Sequence, residues 1–217
     1  MVSNAGRRTL DPARPWTWQR RRPIAIRRML RISAMALMLI LSLAGVAGMA
    51  RGAGSDRSTS GAFRLSDGST IQDAYSTIVR NQAGVGMTFH TLGLIAGDAY
   101  TVWWIVFNNP DMCAPGHRFR CAVSDLTNPA TGSSVLYAAG HVIGGEGVGN
   151  FGSYLNVGDT SGAIMGNGLT NPMGADVHLV VRDHGPMIPD LVADQISSFG
   201  GACDVNVCAN VQASVHQ

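Results

Sequence analysis

The stretch "AYTVWWIVFN", residues 99–108, decides the fold class of this chain. Side chains alternate between the two faces of a β-strand, so Tyr100, Val102, Trp104 and Val106 share one face with Asn108. Thr101, Trp103, Ile105 and Phe107 fall on the other face. Both faces are apolar, which predicts a central strand that is covered on both sides. The pair Trp103-Trp104 is therefore interpreted as core and not as a ligand platform.

The segment that leads into this strand, "LIAGDAYTVWW", places Leu94 six residues before Tyr100, across a Gly-Asp turn. It resembles the tyrosine corner of fibronectin-type and other Greek-key sandwiches. In those proteins the tyrosine hydroxyl bonds to the backbone a few residues upstream. The resemblance implies structural roles for Leu94 and Tyr100.

The rest of the chain after residue 66 also reads as short strands rich in Val, Ile, Thr and aromatic residues. Clusters of Gly, Pro, Asn and Asp separate them, as in "NNPDMCAPG" and "GLTNPMG". The predicted strands other than 99–108 are residues 69–80, 84–92, 134–143, 150–157, 175–183 and 204–214. These features predict an all-β domain over residues 67–217: a single antiparallel β-sandwich of Greek-key or immunoglobulin-like type.

Residues 1–50 have a different composition, with nine arginines and one aspartate for a net charge of +8. Because the whole chain carries +2, residues 51–217 carry −6. The positive charge precedes an uncharged run at residues 34–50, which predicts a signal peptide after an N-terminal basic leader, with a retained membrane anchor as the alternative. Residues 51–66 are small and polar and are expected to be a flexible linker. The acidic remainder argues against nucleic-acid binding.

Four cysteines follow the leader, as two close pairs. An even number of cysteines in an exported chain indicates disulfides. Of the three pairings, the local one is favoured because short loops close most easily. We therefore expect Cys113–Cys121 and Cys203–Cys208, with export to the periplasm, the cell surface or the medium.

The stretch "ADVHLVVRDHGP", residues 175–186, carries the most reactive side chains. Alternation puts Asp176, His178 and His184 on one strand face, opposite an apolar face. His178 and His184 lie about 20 Å apart along an extended strand, too far to share one metal ion. The favoured interpretation is a solvated polar face. The alternative is a Zn or Cu site in which His178 and Asp176 meet His90 or His141 from another strand.

Several catalytic patterns are excluded by spacing. His141 and Ser161 lie in short stretches that resemble motifs of trypsin-type serine proteases. They are only 20 residues apart, however, and the serine motif is interrupted by Thr160, so this type of active site is excluded. "GGEGVGNFG", residues 144–152, lacks the lysine of a P-loop. Glu146 is the only glutamate, so no glutamate pair for glycoside hydrolysis is readable. No catalytic residue is predicted from the sequence.

At "YTVWWIVFNNPDMC", "ADVHLVVRDHGP" and "ISSFGGACDVNVCANVQASVH" the chain resembles a family of uncharacterised exported bacterial proteins. It is also similar to the CHRD (chordin-type) domain, whose hallmark is a strand of the form Ala-x-Ile-His. Ala175, Val177 and His178 match that form, whereas Asp176 stands where the domain has a second histidine. The resemblance implies a secreted sandwich and no activity.

Two functions from different classes follow from these observations. The first is a non-enzymatic extracytoplasmic or cell-envelope binding module of unknown ligand, without a cofactor. The second is a histidine-based metal protein or metalloenzyme at the sheet rim. Contact with a membrane is expected only through the N-terminal segment, if it is not cleaved.

Overall fold

The computed structural model describes residues 55–203 and 208–217, which form nine β-strands and little helix. The strands are β1 (Asp56–Arg64), β2 (Thr70–Asn81), β3 (Gly84–Thr91), β4 (Asp98–Phe107), β5 (Ser133–Val142), β6 (Gly149–Asn156), β7 (Ala163–Met165), β8 (Asp176–Pro186) and β9 (Ala209–His216). Three 3-10 turns, Pro110–Met112, Val123–Thr127 and Pro129–Thr131, precede β5. One short helix, α1 (Val192–Gln195), lies between β8 and β9.

The nine strands belong to one sheet in the order β6-β3-β2-β1-β9-β8-β4-β5-β7, and each neighbouring pair is antiparallel. Strand β4 lies between β5 and β8, and every one of its residues is buried. The mostly antiparallel β class and the central position of β4 are therefore confirmed. An arrangement of two separate sheets, as in a sandwich, is not confirmed.

The single sheet curls, and one of its faces encloses the main core. That core combines Ile78 and Phe89 from one half of the sheet with Trp104 and Leu179 from the other. The curl also brings together β6, at one end of the sheet order, and β5, next to the other end. The His141 ring of β5 stacks on the Phe151 ring of β6, with centroids 4.4 Å apart. The curl thus buries apolar side chains that a flat sheet would leave in water.

The outer face of the β8–β4–β5 half is also covered, by the two long connections of the chain. The segment before β5 contributes Cys121 and Leu126 to a second apolar cluster, which contains Trp103 and Phe107 of β4. The segment after β8 contributes Phe199, whose ring meets Trp103 edge-on at 5.1 Å. This second layer follows from the apolar outer face of β4.

The covering segments overturn the interpretation of β8 as a strand with a solvated polar face. Asp176, His178 and His184 are buried, with exposed fractions of 1%, 8% and 1%. The predicted alternation itself is correct, because Val177, Leu179 and Val181 enter the main core while Val180 enters the outer cluster. The prediction of solvation was wrong because the strand pattern does not indicate which loops will fold over a face.

A second correction concerns residues 51–66, where a flexible linker was expected. Residues 56–64 of this range form β1, which pairs with β2 from Asp56↔Arg80 to Gly61↔Tyr75. Beyond an irregularity between Gly61 and Phe63, the strand turns to β9 at Phe63↔Ala213. The polar composition is compatible with a strand because the inward side chains are small: Ser58, Ser60 and Ala62. Tertiary pairing overrides local composition here.

The other predicted strands coincide with β2 to β6, β8 and β9 within a few residues, and β7 was not foreseen. Residues 204–207 of the last predicted strand, and the leader with its signal peptide, lie outside the described residues. Cys113 and Cys121 are paired at disulfide distance, as are Cys203 and Cys208. Within residues 55–203 and 208–217, no helix is long and apolar enough to cross a membrane.

Candidate functional site

An apolar cavity of about 260 Å³ lies on the outer face of the sheet, beneath the loop closed by Cys113 and Cys121. Its walls come from β1, β4, β8, β9 and that loop. The apolar part of the lining includes Phe63, Ile105, Phe119, Val180, Ala213 and Val215. Four polar or charged residues also line it: His117, Arg118, His178 and Asn210.

Two aromatic rings and one guanidinium group hold the loop against the sheet. Phe119 of the loop stacks on Phe63 of β1, with ring centroids 5.3 Å apart. The Arg118 guanidinium lies 4.9 Å from the centroid of Phe63 and 5.1 Å from that of Phe119. Arg118 Nη1 also donates a hydrogen bond of 3.2 Å to the carbonyl of Gly68, in the β1–β2 turn. Arg118 thus joins two segments that are distant in the sequence, at the edge of the cavity.

Asp125, in the 3-10 turn that follows the Cys113–Cys121 loop, holds this loop in place. Its carboxylate accepts hydrogen bonds from the backbone N–H groups of Ala114, at 2.9 Å, and Ala122, at 2.8 Å. These two hydrogen bonds lower the pKa of Asp125 below its usual value, with a smaller contribution from His117. Asp125 is therefore charged at neutral pH, and its two hydrogen bonds fix the backbone at both ends of the Cys113–Cys121 loop.

A histidine–carboxylate pair lies at the base of the cavity. His178 Nε2 is 3.1 Å from Asp176 Oδ1, and Asp176 Oδ2 accepts a hydrogen bond of 3.2 Å from Cys121 N–H. Nε2 and Oδ1 are both buried, and neither has a hydrogen-bond partner of acceptable geometry among the described residues. The imidazole meets the Phe107 and Phe119 rings edge-on, at 5.3 and 6.2 Å. Buried polar atoms of this kind are uncommon and call for an explanation.

The cavity offers apolar surface and few polar atoms, which suits binding better than chemistry. Cys121, the lining residue with a sulfur atom, is paired with Cys113. A general acid–base role would need a reacting group held beside His178 by further polar contacts. The lining residues named above provide no such constellation.

The four residues proposed to meet at a metal do not come together. His178 and Asp176 are neighbours, but His90 lies on the outer face of the other half of the sheet, where Nδ1 is 2.7 Å from Asn150 Oδ1. His141 points into the main core against Phe151, and burial lowers its pKa. His141 is separated from His178 because it lies on the inner face, and His90 is separated because three strands, β2, β1 and β9, lie between β3 and β8 in the sheet.

Two groups of three potential ligand atoms do lie within 4.8 Å of one another in the described part of the chain. One joins His184 with Cys203 and Cys208, and the other joins Asp125 with Cys113 and Cys121. In each group the two sulfur atoms are paired with each other, so they offer no free thiolate. Neither group includes a residue of the expected metal set.

The tyrosine expected at a corner makes two hydrogen bonds, one part-buried and one buried. Ile95 N–H, five residues upstream, donates to Tyr100 Oη at 3.1 Å, as expected for a bond to the nearby backbone. Tyr100 Oη donates to Asp183 Oδ2 at 2.8 Å. Leu94 is buried in the main core. The side chain thus joins the β3–β4 connection to β8.

No protein-family model and no curated protein matches this chain. The resemblance to exported bacterial proteins and to the CHRD domain therefore stays a prediction.

The sequence did not predict the residues that cover the cavity. Phe63 was assigned to a linker, and Arg118 and Phe119 were passed over within the Cys113–Cys121 loop. The available signal was the run "HRFRC", residues 117–121, which places basic and aromatic residues beside a cysteine in an otherwise small and polar loop. Such residues in a stapled loop suit a binding surface.

Proposed function

We propose that this chain is an exported, non-enzymatic binding protein whose ligand occupies the cavity beneath the Cys113–Cys121 loop. One observation carries the proposal: an apolar cavity with aromatic residues in its lining ends on His178, whose buried Nε2 atom, like the neighbouring Asp176 Oδ1, has no hydrogen-bond partner of acceptable geometry among the described residues. A mostly apolar concavity with a few convergent polar groups is the usual form of a small-molecule site.

The size and lining of the cavity favour a ligand with one ring and one polar group. A volume of about 260 Å³ is near the lower end for small-molecule sites, and a dry cavity of about 150 Å³ already admits benzene. Phe63 and Phe119 provide aromatic contact surface in the lining. His117 and Arg118 place positive charge or hydrogen-bond donors at the margin. A monocyclic aromatic acid, with its ring inside and its carboxylate toward Arg118, meets these conditions.

An extracytoplasmic location is part of the proposal. Both cysteine pairs are compatible with an oxidising compartment, and the leader has the order of an export signal. The disulfide of the roof loop would then persist in the mature protein. A stable roof is what a preformed binding site requires.

Calorimetric titration with benzoate tests the proposal, since benzoate has one ring and one carboxylate. Val123 lines the rim of the cavity and is 71% exposed, so Val123→Trp should block the entrance without disturbing the core. Ile164 lies on β7, outside the cavity lining, and is 53% exposed, so Ile164→Trp is the matched control.

We expect benzoate to bind the wild type and Ile164→Trp equally, and Val123→Trp at least about tenfold more weakly, a difference of about 1.4 kcal/mol. Arg118→Gln should weaken benzoate more than the neutral analogue benzamide. The absence of binding of both compounds at millimolar concentration, or equal binding by both tryptophan variants, would contradict the proposal.

A further inference from the structure

The second cysteine pair lies against a buried histidine at the end of β8. His184 Nδ1 is 3.2 Å from Cys203 Sγ and 4.0 Å from Cys208 Sγ. His184 is 1% exposed, whereas Cys203 and Cys208 are both partly exposed. Both cysteines are therefore partly accessible to solvent while their sulfur atoms lie close to a buried imidazole.

Hydrogen bonds among three buried side chains fix where the proton of His184 lies. Trp103 Nε1 donates to Thr101 Oγ1 at 2.7 Å, so that oxygen already accepts one bond. Thr101 Oγ1 is also 2.8 Å from His184 Nε2. No other acceptor for the Thr101 hydroxyl is found in the described part of the chain. The hydroxyl therefore donates to Nε2, and the proton of the neutral imidazole lies on Nδ1.

The Nδ1–H group consequently points to the sulfur side. It lies 3.2 Å from Cys203 Sγ and 3.4 Å from the Gly201 carbonyl. Burial is the main cause that lowers the pKa of His184, which keeps the ring neutral near pH 7. The charged groups that act on it are Arg182, which opposes protonation, and Asp183 and Asp194, which favour it. A neutral N–H donor is thus held beside Cys203 at neutral pH.

The first cysteine pair has different surroundings. Cys113 is also partly exposed, but Cys121 is 1% exposed, and a carboxylate oxygen of Asp125 lies within 4.8 Å of both sulfur atoms. A nearby carboxylate disfavours a thiolate, whereas a hydrogen-bond donor favours one. The chain therefore contains one pair suited to a structural role and one pair suited to exchange.

We propose that Cys203–Cys208 is a thiol–disulfide exchange site for small thiols, with His184 as the residue that stabilises Cys203 as the leaving thiolate. The thiolate of an incoming thiol attacks Cys208 Sγ, a mixed disulfide forms, and the bond to Cys203 breaks. The electron pair of that bond stays on Cys203 Sγ, which accepts a hydrogen bond from His184 Nδ1–H. A second thiol then displaces Cys208. The products are two cysteine thiols and one small-molecule disulfide, from two molecules of thiol.

Competitive reduction of the full exported protein tests this assignment, with Cys113–Cys121 as the internal control. The protein is incubated with reduced glutathione, samples are alkylated over time, and each pair is quantified by peptide mass spectrometry. We expect Cys203–Cys208 to be reduced at least tenfold faster than Cys113–Cys121. Equal rates, or faster reduction of Cys113–Cys121, would overturn the proposal.

A second measurement separates the role of His184 from simple exposure. In protein reduced at the second pair, the rate of alkylation by iodoacetamide is followed against pH for each cysteine. Cys203 should reach half its maximal rate at a pH about one unit below that of Cys208, and His184→Gln should change the difference. Identical pH profiles for the two cysteines in the wild type would overturn the proposal even if His184→Gln does not fold.

Discussion

Tyr100 and Asp183 are joined across β4 and β8 by a buried hydrogen bond, with Oη 2.8 Å from Oδ2. The same hydroxyl accepts the Ile95 N–H, and Asp183 Oδ1 accepts the Gly185 N–H at 2.8 Å. Burial, as the largest cause, raises the pKa of Tyr100 above its usual value, so the phenol stays neutral and can donate. One hydroxyl thus orders the end of the sheet where the β3–β4 connection meets β8.

Tyr100→Phe should destabilise the fold by about 1–3 kcal/mol, because it removes the donor to a buried carboxylate and the acceptor of a part-buried N–H. Tyr154→Phe is the control, since that hydroxyl bonds Asn81 Oδ1 at 3.1 Å on the surface and should contribute less than about 0.5 kcal/mol. Urea denaturation measures both variants. A denaturation midpoint of Tyr100→Phe equal to that of the wild type would mean that the Tyr100 hydroxyl does not contribute to the stability of the fold.

Acid should weaken the fold through His216, a buried residue of β9. Burial, as the main cause, together with Arg80, lowers the pKa of His216 from 6.5 to about 4. Between these two pH values the unfolded chain binds a proton that the native chain does not. Stability therefore falls as the pH drops below about 6.5, by about 3 kcal/mol once the pH is below 4.

His184 and His141, whose pKa values are also lowered by burial, act in the same direction, whereas Asp98, whose pKa is raised, acts against it. The variant His216→Gln isolates the contribution of His216, because it should flatten part of the pH dependence. Denaturation midpoints at pH 7 and pH 4 provide the measurement. Equal pH dependence in the wild type and the variant would refute the assignment.

The roof of the cavity should depend on its disulfide. Replacement of Cys113 and Cys121 by serine opens a loop with a sequence separation of 8. The entropy of the unfolded chain alone predicts a loss of about 2–3 kcal/mol. Because Phe119 and Arg118 lie within this loop, benzoate affinity should fall together with stability. Thermal melting and calorimetry report the two effects, and an unchanged affinity would place the ligand elsewhere.

Gly140 of β5 leaves room for the connection that follows α1. A Cβ atom at this position would overlap the Ile196 carbonyl oxygen, which accepts a hydrogen bond of 2.8 Å from Tyr137 Oη. Gly140→Ala should therefore displace this segment and cost about 1–3 kcal/mol. Gly152→Ala on β6 is the matched control, because the nearest atom, the Met87 carbonyl oxygen, is 3.8 Å away. Similar stability of the two variants would contradict this account of the contact.

The sequence was sufficient to predict most strands, because period-2 alternation and turn residues reflect short-range physics. Strand β4 is the clearest case, since apolar residues on both faces require cover on both sides. The polar strand β1 was missed because its position depends on pairing with β2 and β9, which lie far apart in the sequence. One curled sheet and two packed sheets also share the same alternation, so the pattern did not distinguish them.

The candidate site was less predictable than the fold. Asp176 and His178 were identified because they lie two residues apart on one strand. Phe119, which meets His178, comes from the Cys113–Cys121 loop, and Phe63, which stacks on Phe119, comes from β1; only folding brings these segments together. The same loop buries the two side chains that alternation alone would leave in solvent.

The central claim is that a small ligand enters the cavity beneath the Cys113–Cys121 loop, and methyl-resolved NMR tests it most directly. Titration with benzoate should shift the methyl signals of Ile105, Val180 and Val215, which line the cavity, and leave those of Ile164 and Val157 unchanged. Val123→Trp should suppress these shifts. Shifts confined to methyl groups outside the cavity, or no shifts at saturating benzoate, would contradict the account.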